Sequence, residues 1–425
     1  MINRIFKTVL PLLFGIIILP HYLFGQDTTQ YIIPGRENAP NQEPKHYVIL
    51  ISADGFRYDL AEKYDAEFLK KISSEGVKAI SMRPSYPSLT FPNHYSIITG
   101  LYPSHHGIVD NTFYDPQRKQ FYAIRNKKAV EDPTWYGGVP LWVLAERQKM
   151  LSASFYWVGS ESHIDGMDPT YYFNYNEAIP IDRRLEILKE WLQLPEDKRP
   201  HFITFYFPEV DHAEHHYGTN APQIRDAVQF IDHSMQKMNE MCTQLNLPVN
   251  FIFVSDHGMT DMDTLHTIPR PSVIDTSKFI IASGTSTAHL YAKNRKDIKP
   301  TYRKLKSVAK DYNMYLAKRI PRRWHYNKKD DRFDRIGDIL LVPHLPQGFS
   351  FSGRKISYGE HGFENYLPEM QATFYAWGPA FKQHYEIGNF VNINIYPLIA
   401  HVLGLQIDSK IDGKFDVLKG ILKQE

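Results

Sequence analysis

Residues 46–53 read HYVILISA, and the turn dipeptide Asp54-Gly55 follows at once. A nearly continuous apolar and β-branched run of this length, cut off by a turn, reads as a strand covered on both faces. Four further runs repeat the pattern: SFYWV at 154–158, FITFYF at 202–207, NFIFVS at 250–255 and ATFYAW at 372–377. Helical periodicity occupies the intervals, as at 185–194 and 224–245. Strands that alternate with helices predict an α/β class, with a mostly parallel central sheet flanked by helices. No internal repeat interrupts the pattern.

The rest of the chain bounds what this core can be. Of 425 residues, 43% are hydrophobic, which suits a large buried core and excludes a disordered chain. A net charge of +2 supplies no strong field, so no specific nucleic-acid partner is expected, and no protein partner is predicted. Residues 1–26 are expected to be a secretory signal peptide. Arg4 and Lys7 precede an apolar stretch from Val9 to Leu23, and the small Gly25 follows. A retained membrane anchor is the competing reading. The brevity of the stretch and its prolines, Pro11 and Pro20, favour cleavage, leaving no membrane span in the mature chain. Cys242 is the only cysteine, so no intramolecular disulfide forms. It falls in an apolar helical pattern and reads as structural. Export without disulfides suits a bacterial periplasm, or otherwise simple secretion. Residues 27–45 are polar and rich in Pro and Asn, and read as a linker. A catalytic domain at 46–425 follows, with a small peripheral α+β subdomain inserted at about 265–355. The basic stretch 296–335 within it reads as the solvated outside of that subdomain.

In an open α/β sheet, ligands bind beyond the carboxyl ends of the strands. The residues at those ends are Asp54, the run Asp211 to His216, Asp256 and His257, with Gly359-Glu360-His361-Gly362 near the last strand. Carboxylates and imidazoles converging on one sheet edge suit a divalent metal such as zinc. Asp211 and His215 are one helical turn apart, but so are His212 and His216, and spacing does not choose between the pairs.

Thr90 opens a helical pattern with Pro92 in its first turn and Gly100 at its end. Its hydroxyl could cap the helix. Equally, it could serve as a nucleophile where free N–H groups and the helix dipole favour a phosphoryl group. The local pattern leaves both open.

Seven segments taken together carry a resemblance. They are ISADGFR (51–57), PSLTFPNHYSIITGLYPSHHGIVDN (87–111), WVGSE (157–161), Tyr175-Asn176, DHAEHHYG (211–218), FVSDHGM (253–259) and GEHGF (359–363). In this order they resemble the nucleotide pyrophosphatase/phosphodiesterase family of the alkaline phosphatase superfamily. The resemblance spans about residues 46–420 and implies an alkaline-phosphatase-like core. It implies two zinc ions, one on Asp54, Asp256 and His257 with Thr90 bound to it, the other on Asp211, His215 and His361. It further implies Thr90 as nucleophile, Asn111 as donor to a phosphate oxygen, and Phe91 and Tyr175 as aromatics that sandwich a nucleotide base. A metal pair about 4 Å apart would hold the attacking and leaving oxygens of an in-line displacement. A phospho-threonine ester would form and then hydrolyse, with Asn111 and the helix-start N–H groups stabilising charge on the equatorial oxygens.

The substrate is the less legible part. Monoesterases of the superfamily add cations for the extra phosphate charge, and residues 157–163 offer no Lys or Arg. A singly charged diester or pyrophosphate bond of a nucleotide is therefore expected. A phosphomonoesterase or a lipid-head-group phosphodiesterase on the same scaffold is the alternative. A non-catalytic binding protein is disfavoured, because no expected ligand position is lost. A sulfatase is disfavoured by the missing Cys/Ser-x-Pro-x-Arg signature. His212-Ala213-Glu214 and Val158 depart from the family's usual residues and bear on pocket shape alone.

Overall fold

A computed structural model describes residues 28–424, so the expected signal peptide lies outside the described residues. The central sheet has nine strands: β1 (Gln30–Ile32), β2 (Tyr47–Ala53), β3 (Val77–Ala79), β4 (Ser152–Phe155), β5 (Tyr171–Phe173), β6 (Phe202–Phe207), β7 (Val249–Val254), β8 (Phe374–Trp377) and β9 (Tyr385–Ile387). Their order is β1-β5-β4-β6-β2-β7-β8-β3-β9. The block from β5 to β7 is parallel throughout. β8 runs against both its neighbours, and β1 against β5.

The apolar run that defines β2 explains why the sheet is central. All seven of its residues are buried. Val48 and Leu50 face one core, with Ile97, Ile98, Trp142 and Leu398. Tyr47, Ile49 and Ile51 face the other, with Leu188, Val228, Met235 and Cys242. Helices α1 (Glu67–Glu75), α2 (Thr90–Thr99), α3 (Leu141–Arg147), α4 (Ile181–Leu192), α5 (Glu209–Tyr217) and α6 (Pro222–Gln244) fill the connections, and α7 (Ile395–Val402) follows β8. A period of two cannot appear in a strand whose two faces are both apolar, which is why the sequence shows continuous runs. Burial pushes the Cys242 thiol up to about 12, consistent with an inert packing residue.

Two boundaries differ from the sequence reading. Residues 154–158 are strand only as far as Phe155, and Tyr156 turns out at φ +67°. Ala372 and Thr373 precede β8, because their backbone groups bond Met82 and Ser255 instead. Residues 268–349 build a second, smaller core beneath a four-stranded antiparallel sheet (Phe279–Ser283, Ala288–Ala292, Ile339–Pro343, Tyr312–Leu316) and a helix at Ile298–Val308. Within the basic stretch, Lys299, Arg303 and Lys306 are exposed. Arg335 instead lies buried, donating to Asp115 at 2.9 Å and to the carbonyls of Gly107 and Trp135.

Within the stretch read as a linker, β1 extends the sheet and Asn38 is buried. The Asn38 amide donates to the carbonyls of Glu196 and Arg199 at 2.7 Å, and its oxygen accepts from Leu151 N–H at 2.7 Å. Asn38→Ala strands those groups in a dry site. It is expected to cost about 2–3 kcal/mol and to lower Tm by several degrees in calorimetry. An unchanged Tm would show that the Asn38 bonds do not contribute to the fold.

Candidate functional site

The parallel strands deliver their polar ends to one edge. Asp54 follows β2, Asp211 lies two residues into α5 after β6, and Asp256 and His257 follow β7. Asp211 N–H donates to Asp54 O at 3.1 Å. That approach needs Gly55, at φ +70°, since a Cβ there would lie 3.1 Å from the Asp211 Cα. His361 arrives by another route. A short ladder pairs Thr260 with Glu360 and Asp261 with Gly359, and it carries His361 back beside His257. The two rings stack with centroids 3.6 Å apart. β8 runs antiparallel, so the segment ahead of it lies at the same edge as the carboxyl ends of its neighbours.

Two groups of potential ligands result. In one, atoms of Asp54, Asp256 and His257 lie within 4.8 Å of one another; in the other, those of Asp211, His215 and His361 do. His212 and His216 are in neither group. Each histidine is aimed the same way. Nδ1 of His257 donates to Gly258 O at 3.0 Å, that of His215 to Gly359 O at 2.8 Å, and that of His361 to Ser88 O at 2.9 Å. This fixes the tautomer and leaves every Nε2 lone pair facing carboxylates, 2.9 Å from Asp256 Oδ2 and 3.4 Å and 3.7 Å from Asp211 Oδ1. Asp54 Oδ1, Asp211 Oδ1 and Asp256 Oδ2 are buried with no hydrogen-bond donor. Lone pairs converging on unpaired, buried carboxylate oxygens are costly unless a cation sits among them. The donor set of oxygen and imidazole nitrogen fits zinc.

The electrostatics carry the same strain. Burial, then the charges of Asp256 and Asp211, hold the Asp54 carboxyl well above the usual carboxylate range. Burial would also raise Asp256, but positive charge on the facing His257 and His94 rings, when either is protonated, pulls it well below that range. Burial, followed by His257 and His215, pushes His361 well below the usual imidazole range. Burial acts downward on His215 too, but the Asp211 and Glu360 carboxylates overcome it and raise it.

Thr90 stands between these groups and a cleft. It is the first residue of α2, while Leu89 occupies the cap position, and no side chain caps the helix. Thr90 is therefore not a helix cap; its Oγ1 lies 3.2 Å from His257 Nε2. The loop before it is held by Asn93, which bonds Ser85 N–H and the carbonyls of Pro87 and Leu89. Asn111 Oδ1 accepts from Phe91 N–H at 3.2 Å, which turns its amide donors away from the helix. That N–H is thereby occupied, unlike the free helix-start donor expected from the sequence. The cleft, of about 440 Å³, is lined by Thr90, Phe91, Trp157, Tyr175 and Tyr206, together with Asp54 and Asp211. Tyr175 is 46% exposed and is fixed by bonds to Glu161 and Glu177. Arg125 and Lys127 also line the cleft, with Lys127 paired to Glu131 at 3.5 Å, so the absence of cations from residues 157–163 does not by itself select a diester.

Two further residues escaped the sequence reading. Tyr206 O–H donates to Asp54 Oδ2 at 2.6 Å. His94, fully buried, donates from Nδ1 to Thr90 O at 3.0 Å and lies 3.3 Å from Asp256 Oδ2, while Ser52 O–H donates to its Nε2 at 2.8 Å. His94 was recoverable, since it lies one turn after Thr90 on the same helix face.

The family model described as type I phosphodiesterase / nucleotide pyrophosphatase matches residues 48–364. The chain belongs to this family. It is 34% identical over 370 residues to rat ectonucleotide pyrophosphatase/phosphodiesterase family member 1, a match covering 84% of this chain and 40% of the rat protein. It is 35% identical over 394 residues to a venom phosphodiesterase of Crotalus durissus collilineatus, covering 88% of this chain and 46% of the venom protein. The chain thus spans less than half the length of these relatives. The solved structure of murine ectonucleotide pyrophosphatase / phosphodiesterase 5 superposes with a TM-score of 0.82 at 27% identity, covering 89% of this chain and 100% of the murine one. An inactive threonine-to-alanine variant of that murine protein has been solved in complex with AMP, with the same TM-score. The fold is accordingly the alkaline-phosphatase-like α/β core of that family.

Tyr206→Phe removes the hydroxyl that fixes Asp54 Oδ2. Zinc affinity is expected to fall about tenfold, measured by competition with a chromogenic chelator. Unchanged affinity would mean that Asp54 does not depend on this bond.

Proposed function

We propose that the chain is an exported two-zinc phosphodiesterase that hydrolyses phosphodiester or pyrophosphate bonds of nucleotides through a phospho-threonine intermediate. The observation that carries this reading is the Thr90 hydroxyl, uncapped at a helix start, opening on the cleft and 3.2 Å from His257 Nε2. Asp54, Asp256 and His257 would hold one zinc, with Thr90 beside it, and Asp211, His215 and His361 the other. When bound, the pair would neutralise charge on the attacking and leaving oxygens.

The chain's own residues supply the rest. Thr90 Oγ1 gives its proton to solvent and attacks phosphorus in line; the new P–Oγ1 bond forms as the bond to the leaving oxygen breaks, and that oxygen departs and takes up a proton from solvent. Water then cleaves the phospho-threonine ester and returns the hydroxyl. With its oxygen engaged by Phe91 N–H, the Asn111 amide has two N–H groups to offer an equatorial phosphate oxygen. Phe91 and Tyr175 on the cleft walls suit a flat base, and the bonds that fix Tyr175 reduce the ordering cost of stacking. The AMP complex of the murine relative supports a nucleoside monophosphate as the group retained. Export rests on the sequence of residues 1–26; among the described residues no helix is long and apolar enough to cross a membrane.

Thr90→Ala is expected to lower turnover of a nitrophenyl nucleotide diester by at least about a thousandfold. Zinc at a hundredfold excess over Kd should still stabilise this variant in thermal unfolding, by about 2.7 kcal/mol for each ion bound. Near-normal turnover would remove Thr90 as nucleophile. The wild-type protein should prefer that diester over nitrophenyl phosphate and over a choline lipid; the reverse preference would select the monoesterase or lipid reading.

A further inference from the structure

The hairpin joining Phe279–Ser283 to Ala288–Ala292 in the small sheet reaches, from outside the central sheet, the two segments that carry Asn111 and His361. Its turn is closed by Gly284 N–H donating to Thr287 O at 2.9 Å. Thr287 and His289 then converge on one carboxylate oxygen. Thr287 Oγ1 donates to Asp110 Oδ2 at 2.7 Å, and His289 Nε2 lies 3.1 Å from the same atom. Nδ1 of His289 is 2.9 Å from Ile336 O, so the ring is held at both ends. Asp110 Oδ1 accepts from Thr112 N–H at 3.0 Å. Asp110 Oδ1 thus ties residues 110 and 112 together across Asn111, while Oδ2 ties Asp110 to the small sheet. All three side chains, Asp110, Thr287 and His289, are buried.

The same turn touches the segment that carries His361. Thr285 Oγ1 donates to Glu360 Oε1 at 3.1 Å. Gly362, at φ +94°, packs so closely that a Cβ there would collide with Ser286 Oγ. One turn of four residues thus supports Asn111 through Asp110 and His361 through both its neighbours.

We propose that this hairpin turn, with His289, is a positioning element for the reaction: it sets the Asn111 amide against the substrate phosphate and the His361 ring against its partner ligands. The inference rests on the role given above to Asn111. Burial strengthens each of these bonds, and a small displacement of a charge-stabilising donor costs more in the transition state than in the ground state. The small sheet is in that case part of the catalytic machinery's support.

The test uses the zinc-loaded full chain and a nitrophenyl nucleotide diester. Thr287→Val keeps the side-chain shape and removes the hydroxyl. It should lower kcat about tenfold with little change in KM, and Thr287→Ser, which restores the hydroxyl, should recover most of the loss. In an Asn111→Ala background, Thr287→Val should cost less than about twofold, because the group it acts through is gone. The proposal is overturned if Thr287→Val lowers Tm but leaves kcat intact, if Thr287→Ser rescues nothing, or if the loss is undiminished without Asn111. Full activity of Asn111→Ala alone would instead overturn the Asn111 assignment, and this inference with it.

Discussion

Three main-chain carbonyls govern the site. By accepting Nδ1–H from His257, His215 and His361, those of Gly258, Gly359 and Ser88 turn three Nε2 lone pairs inward onto buried carboxylates. Without a positive charge this arrangement sets lone pair against lone pair in a dry pocket, a configuration a folding chain avoids unless something compensates. The carbonyls are in turn placed by secondary structure: Gly258 by the end of β7, Gly359 by its ladder with Asp261, and Ser88 by the loop that Asn93 ties down. The chemistry is thereby written into backbone geometry as much as into side-chain identity.

The sheet makes this possible at low cost. Five adjacent parallel strands bring their carboxyl ends to one line, and the reversed β8 lets a segment far along the chain join from the other direction. Apolar residues on both faces of β2 and β7 anchor that line between two cores, so the polar ends project from a rigid base. Loops positioned by such a base hold reacting groups more closely than loops supported by other loops.

Much of this could be read without coordinates, for identifiable reasons. The central strands were visible because burial on both faces makes them continuously apolar, whereas β1, β3, β5 and β9, at three residues each, are too short for any periodic signal. The two ligand groups followed only from the resemblance, since spacing left Asp211/His215 and His212/His216 equal. The geometry brings the former to His361 and leaves the latter outside. Tyr206 was hidden because it sits inside an apolar strand run, and its hydroxyl meets Asp54 only across the β2–β6 pairing. Arg125 and Lys127 were missed because the cleft wall was sought in residues 157–163 alone. Residues 28–45 looked like a linker because three-residue strands and single anchoring side chains leave no compositional trace.

The bond from Asp211 N–H to Asp54 O, made at the one point where Gly55 permits contact, joins the two ligand groups through the backbone itself. Neither cage can expand or contract without pulling on the other. A ligand that draws in the side chains of one group therefore acts, through this bond, on the backbone that carries the other.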